Sequence, residues 1–217
     1  MPQVFASSIS DPFQISGLYL LTRETDNTGA LLAAVAQALS GGARVLQYRD
    51  KSADAGRRIE QALALVALCH RHGVPLIVND DVELARSVGA AGVHLGEHDA
   101  AISTARAELG AHCIIGVSCY NDLSYAAPAL AAGADYIAVG AFFDSGTKPM
   151  ARRASLQLLR DARQFQVPVV AIGGINAANG AALVDAGADA LAVLGAVWDA
   201  PDIGVAARAI SSLFSYA

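Results

Sequence analysis

A single (β/α)8 TIM barrel of the α/β class is the fold this 217-residue chain predicts, on three observations. Eight short apolar runs recur along it with Ala-rich, helix-patterned stretches between them, and no break in composition interrupts the series. A Gly-Ala joint is repeated before every second run. Polar residues crowd just after the runs, where a parallel barrel builds its working face.

Residues 1–16 read as a leader and 17–217 as the barrel domain. Strands are expected at 17–21, 44–48, 76–79, 92–95, 114–118, 136–140, 169–172 and 190–194, each too short for a free-standing helix. Helices are expected over 29–39, 55–70, 100–109, 126–132, 155–165 and 177–186, where apolar residues fall on one helical stripe. The joints Gly42-Ala43-Arg44, Gly89-Ala90-Ala91, Gly133-Ala134-Asp135 and Gly187-Ala188-Asp189 precede the second, fourth, sixth and eighth strands. Glycine there ends a helix and lets the chain turn into the barrel. Val74-Pro75 and Val167-Pro168 do the same before the third and seventh strands, since proline cannot continue a helix.

Composition agrees with this plan. Hydrophobic residues make up 54% and charged residues 16%, with 20 glycines, a balance suited to parallel strands covered on both faces. A net charge of -5 gives no general attraction for nucleic acid or anionic membrane, so any anion site must be built locally and the expected partners are small molecules. No apolar run reaches a membrane span, and residues 1–13 lack a basic-then-apolar signal pattern, so a cytoplasmic protein is expected. Oligomeric state is left open, with a homo-oligomer among the options. Cys69, Cys113 and Cys119 have no metal-ligand spacing and read as reduced apolar residues.

The polar strand ends carry the candidate chemistry. After the second strand, alternation sets Gln47, Arg49 and Lys51 opposite Tyr48 and Asp50. Arg49 and Lys51 together suit a phosphate or diphosphate, although the run also reads as an exposed charged loop. Asp80 and Asp99, at adjacent strand ends, are hard carboxylates that suggest magnesium, with Asp81 a competing ligand. Helix N-capping is the alternative for Asp81 and Asp99. Ser145-Gly146-Thr147-Lys148 offers backbone N–H groups, hydroxyls and a cation, and Gly173-Gly174 leaves room for a second phosphate to approach backbone. His94 and His98 straddle a strand end, so packing or supporting roles are expected of both, and His70, His72 and His112 read as surface caps.

In combination these motifs resemble the thiamine-phosphate synthase family from Gly17 to about Trp198. Gln47-Tyr48-Arg49-Asp50-Lys51 is similar to the family's QxRxK segment, Asn79-Asp80 to its ND pair, and Gly92-Val93-His94-Leu95-Gly96 with Asp99 to its GVHLGxxD. Gly116-Val117-Ser118, Ser145-Gly146-Thr147-Lys148 and Ala171-Ile172-Gly173-Gly174-Ile175 resemble its GVS, TxTK-like and AIGGI segments. The resemblance implies that Gln47, Arg49, Lys51, Asn79, Ser118 and Lys148 hold a pyrimidine diphosphate, with Tyr48 and Asp50 in the same segment. It implies that Asp80 and Asp99 bind Mg2+, that Ser145, Gly146, Thr147, Gly174, Leu194 and Gly195 hold a thiazole phosphate, and that Arg49, Lys51, Ser118 and Lys148 serve catalysis. The sequence departs from the family pattern at Asp144, Ser145 and Leu194-Gly195, where many members have Pro, Thr and Ile-Ser. A thiazole tautomerase-like paralogue and a non-catalytic precursor-binding protein are the competing readings, and both lack a need for the full diphosphate grip plus turnover.

Overall fold

Eight parallel strands close into a ring in chain order, β1 (Gly17–Leu21), β2 (Ala43–Tyr48), β3 (Leu76–Asn79), β4 (Gly92–Leu95), β5 (Ile114–Tyr120), β6 (Tyr136–Gly140), β7 (Val169–Ile172) and β8 (Ala190–Val193). Around them lie α1 (Thr28–Ser40), α2 (Ala55–His72), α3 (Val82–Val88), α4 (Ile102–Leu109), α5 (Ala126–Ala131), α6 (Leu156–Ala162), α7 (Ala181–Asp185), α8 (Gly195–Trp198) and α9 (Ile203–Ser211). This computed structural model describes residues 15–97, 99–144 and 153–214.

Strand alternation sorts the side chains between two cores. Tyr19, Leu21, Val45, Ile77, Tyr136, Ala138, Val170, Ala190 and Ala192 meet inside the barrel. Their strand neighbours Leu18, Leu20, Leu46, Val78, Val93, Ile115 and Leu191 join a larger cluster with helical residues such as Leu31, Val35, Leu65 and Leu159. Each fully buried Leu, Ile or Val of that layer contributes roughly 1.5–3 kcal/mol of transfer free energy, so the outer layer is the main source of stability. Ile15, assigned to the leader from sequence, is buried with the inner cluster, so the described end of that segment belongs to the barrel floor.

The repeated joints have a shared geometry at the floor. Gly42, Gly89, Gly133 and Gly187 all have positive φ, as an entry turn requires. Gly89 is itself the helix cap, whereas the other three follow a right-handed cap residue. In the two Gly-Ala-Asp joints, Asp135 accepts the N–H of Ile115 at 2.7 Å and Asp189 accepts that of Val169 at 2.8 Å. Each aspartate thus satisfies the start of the preceding strand, a backbone donor that would otherwise lie near the edge of the core unpaired.

Several elements differ from expectation for local reasons. α7 begins later than the expected 177–186 helix because Asn176 and Asn179 bond backbone N–H groups around 176–179, holding a turn in place of a first helical turn. The expected 155–165 helix ends in a 3-10 turn, which Gln166 closes in the left-handed region. α3, α8 and α9 lie outside the helical stretches named from sequence; α3 is only seven residues long, and Asp81 caps it by accepting from Leu84 N–H at 2.8 Å, the N-capping alternative weighed for that residue. α9 packs on α1 and β1, and Phe214 lies against the outer core beside it; Tyr216 lies outside the described residues. No helix among the described residues is long and apolar enough to cross a membrane.

Candidate active site

The carboxyl ends of the strands open into a cavity of about 930 Å³. Gln47, Arg49, Asn79, His94 and Ser118 line one side, and Gly140, Ile172, Gly173, Gly174, Leu194 and Gly195 the other. A smaller cleft of about 460 Å³ adjoins it, bordered by Lys51, Asp80 and Asp81, and Asn79 borders both. The sequence-derived candidates from five different strand ends are therefore brought to one face, as the parallel topology dictates.

Within the 47–51 segment the alternation persists only partly. Gln47 and Arg49 face the cavity, but the strand ends at Tyr48 and Lys51 turns to the cleft, where its Nζ is 3.2 Å from Asp80 Oδ2. The two cations that alternation would set on one side lie instead in adjoining spaces. Among the described residues the Arg49 guanidinium makes no hydrogen bond or ion pair; its backbone N–H is held by Thr22 Oγ1 at 2.8 Å. Tyr48 points outward, away from both spaces. Its hydroxyl donates to Gln61 Oε1 at 3.0 Å and lies 3.4 Å from Asp50 Oδ2, so the substrate contact expected of its side chain gives way to packing against α2. Asp50 borders the cleft, but its carboxylate is committed to Ser52 N–H and Arg57.

Asp80 sits in the left-handed region, with φ 64, a conformation uncommon for a residue with a side chain. Asp99 is held by Gly96 N–H at 2.6 Å and does not cap α4, whose cap position is Ala101. The Asp80 and Asp99 carboxyls act on each other electrostatically. Desolvation raises the Asp99 pKa, the Gly96 bond opposes that rise, and the adjacent Asp80 carboxyl raises it further. Asp81 is removed from the ligand candidates, because its two oxygens cap α3 and accept from Arg58 at 2.6 Å. No cluster of three or more His, Cys, Asp and Glu side chains forms a metal cage among the described residues.

The cavity floor is a hydrogen-bonded chain of side chains. Gln47 Nε2 donates to Tyr19 Oη at 2.9 Å, Tyr19 and Tyr136 hydroxyls are 2.8 Å apart, Tyr136 Oη is 2.9 Å from His94 Nδ1, and His94 Nε2 is 3.0 Å from Ser118 Oγ. His94 therefore has the supporting position expected of it. Burial pushes its pKa down to about 4, with Asp99 weakly opposing, and burial pushes both tyrosines far above their ordinary value. Ser118, His94 and Tyr136 match the spacing of a nucleophile, base and orienting group, but the third member is a neutral phenol. Nothing at Nδ1 stabilises an imidazolium, so the set orients groups and does not activate a nucleophile. Gly116 makes room for it: a Cβ there would lie 1.9 Å from Tyr136 Cζ.

Gly174 has φ 62, and a Cβ on it would meet Asp144 O at 2.4 Å, so only glycine fits this wall of the cavity. Asp144 pairs with Arg153. Ser145, Gly146, Thr147 and Lys148 lie outside the described residues, as does His98. Cys119 is buried on the outer face of β5 and burial pushes its thiol up to about 11, which leaves it a packing residue.

Residues 18–197 match the family model described as thiamine monophosphate synthase. The chain belongs to that family. It is 56% identical over 200 residues to a thiamine-phosphate synthase of Thiobacillus denitrificans, covering 92% of this chain and 95% of the relative. It is 53% identical over 203 residues to one of Chromobacterium violaceum, covering 94% and 98%. Among solved structures, a thiamine phosphate pyrophosphorylase from Pyrococcus furiosus superposes with a TM-score of 0.81 at 34% identity, covering 91% of this chain and 94% of that one. A 3-hexulose-6-phosphate synthase, at 18% identity and a TM-score of 0.70, shares the fold alone. Membership in the thiamine monophosphate synthase family makes the chain a transferase enzyme of thiamine biosynthesis, and small molecules its substrates.

Sequence reasoning missed Tyr19 and Tyr136, which line the cavity of this family member, and Arg23 and Asp199, paired at 2.5 Å at its mouth. The tyrosines had a usable signal. Each sits in an inner apolar cluster whose other members are aliphatic, and a buried hydroxyl demands a partner.

Proposed function

We propose that the chain is a thiamine-phosphate synthase that joins hydroxymethylpyrimidine diphosphate to hydroxyethylthiazole phosphate, giving thiamine phosphate and diphosphate. The observation that carries this reading is the cavity-facing Arg49 guanidinium, unpaired among the described residues, set beside the cleft where Lys51 pairs with Asp80, whose carboxyl in turn acts on Asp99. An unpaired cation and a cation-flanked carboxylate pair at adjoining positions suit a diphosphate. The synthase names of the relatives favour it over a tautomerase-like paralogue or a binding protein.

In the reaction the bond between the pyrimidine methylene carbon and the diphosphate oxygen breaks, its electron pair leaving with the diphosphate. The thiazole ring nitrogen donates its lone pair to that carbon and becomes the thiazolium nitrogen. No proton has to be removed from the nucleophile, which accords with a floor whose histidine is too weak a base to take one. Arg49 and Lys51, with Lys148, take up the negative charge that develops on the leaving group, Gln47 and Asn79 orient the pyrimidine diphosphate, and Ser118 donates to it. Gly174 and the Leu194-Gly195 turn, with Ser145, Gly146 and Thr147, receive the thiazole phosphate. Because Gly195 has no hydroxyl, that turn offers backbone N–H only.

The adjacent Asp80 and Asp99 carboxyls, whose repulsion Lys51 and the Gly96 N–H offset in part, fit a hard divalent cation. These two residues would hold Mg2+, which when bound supplies charge neutralisation for the diphosphate. The protein works in the cytoplasm on this reading, and a homo-oligomer is compatible with a site built from one chain. The test is direct: incubate the purified chain with both substrates and magnesium, and measure thiamine phosphate and diphosphate together, with an EDTA control. Equimolar, EDTA-sensitive formation of both products is expected. Binding of both substrates without release of diphosphate would overturn the assignment.

A further inference from the structure

The floor chain has a direction, and it can be read from its hydrogens. Gln47 Nε2 donates to Tyr19 Oη. Tyr19 is buried, and among the described residues its own hydrogen finds an acceptor only in Tyr136 Oη. The reverse arrangement would leave a buried hydroxyl hydrogen without a partner. Tyr136, having accepted from Tyr19, gives its hydrogen to His94 Nδ1, which must then be the unprotonated nitrogen. The neutral ring therefore carries its hydrogen on Nε2 and donates it to Ser118 Oγ. Among Tyr19, Tyr136, His94 and Ser118 every such hydrogen is spent except the hydroxyl hydrogen of Ser118, the least enclosed member of the chain.

We propose that Tyr19, Tyr136 and His94 are positioning residues that form a polarised hydrogen-bond chain, fixing His94 in the Nε2–H tautomer so that Ser118 presents a hydrogen, not a lone pair, to the cavity. What that hydrogen meets rests on the synthase reading: a diphosphate oxygen gaining charge as its bond to carbon breaks. An acceptor of rising charge is stabilised by a donor already aimed at it, and a freely rotating hydroxyl would have to be reoriented first. The inward tyrosines at Tyr19 and Tyr136 thereby gain a role that core packing does not require, since phenylalanine would fill the same space. The glycine at 116, whose absent Cβ admits the Tyr136 ring, belongs to the same device.

The chain is tested by nitrogen NMR of the imidazoles in uniformly 15N-labelled full-length protein near neutral pH, without substrate, using His94→Gln to assign the resonance. A single Nε2–H tautomer is expected for His94 in the native protein. An Nδ1–H tautomer, or an averaged pair of shifts, overturns the proposal. In Tyr136→Phe the fixed tautomer should give way to an averaged one, kcat should fall about tenfold and KM for either substrate should change less than about threefold. A Tyr136→Phe enzyme with native kcat and an unchanged tautomer overturns it as well. Should that variant not fold, the native spectrum still decides. Because the spectrum needs no turnover, it separates failure of this proposal from failure of the synthase reading, which the two-product assay reports on its own.

Discussion

The two ends of the barrel use the same residue types to opposite effect. At the floor, Arg106 accepts no freedom at all: its guanidinium donates to Gly110 O at 2.9 Å, Cys113 O at 2.5 Å, Gly133 O at 2.7 Å and Asp135 Oδ2 at 2.6 Å. At the opposite end Arg49 has no partner for its guanidinium among the described residues. The aspartates differ in the same way. Asp135 and Asp189 each take a strand N–H at the floor, while Asp80 borders the cleft and repels the Asp99 carboxyl beside it. Charges spent within the chain hold the fold; charges left unspent are available to a ligand. The contrast predicts which substitutions alter turnover and which alter stability.

The largest effect is expected at Arg49. Arg49→Ala should lower kcat/KM by about a thousandfold, on the order of 4 kcal/mol of transition-state stabilisation, with a thermal midpoint within about two degrees of native. Lys51→Ala should follow it closely. Steady-state kinetics beside thermal denaturation checks both, and a large loss of stability with unaltered turnover would erase the distinction between the two ends.

His94 lies between the two ends and couples site to stability through pH. Its folded pKa of about 4 lies below the ordinary value of 6.5, so the unfolded chain takes up the proton first as pH falls. The stability it contributes is whole above about pH 6.5 and is lost progressively down to about pH 4, in total about 3 kcal/mol. Urea unfolding across that range should show the loss in the native protein and a shallower one in His94→Gln. Parallel curves would place the native His94 pKa near its ordinary value.

At the floor, Arg106→Ala should lower stability by about 2–3 kcal/mol, since three backbone carbonyls and Asp135 lose a charged donor. Activity per folded molecule should be kept. The measurement is a urea midpoint together with active-site titration, and a selective fall in kcat without a change in midpoint would count against the assignment of Arg106 to the fold.

Much of this division was legible in the sequence, and the residues show why. All eight strands were, because each is a short apolar run bounded by a glycine joint, a proline or a polar strand end, and so were the strand-end candidates, because parallel topology alone brings Gln47, Arg49, Asn79, Asp80, Ser118 and Gly174 to one face. What escaped depended on interactions between distant residues. The Tyr19–Tyr136 pair spans 117 positions, and no local pattern links its members. α3 has seven residues and is held by one cap, too little for a helical stripe to stand out. Alternation predicted Arg49 correctly and overreached at Lys51, because the strand ends at Tyr48 and its period ends with it.

Tyr48 gives the smallest and sharpest test of the contrast, because it lies between two cavity-facing residues and yet belongs to the fold. Its ring packs in the outer core, and its hydroxyl joins Gln61, whose amide in turn holds Thr25 O at 2.9 Å in the loop after β1. Tyr48→Phe removes one buried hydrogen bond while keeping the ring, so it should cost about 1 kcal/mol of stability. KM for both substrates should stay within about twofold of native, because no atom of the deleted group reaches the cavity. A several-fold rise in KM at unchanged stability would instead place the hydroxyl at the ligand, and the outward half of the 47–51 segment would then have to be assigned to the site with the inward half.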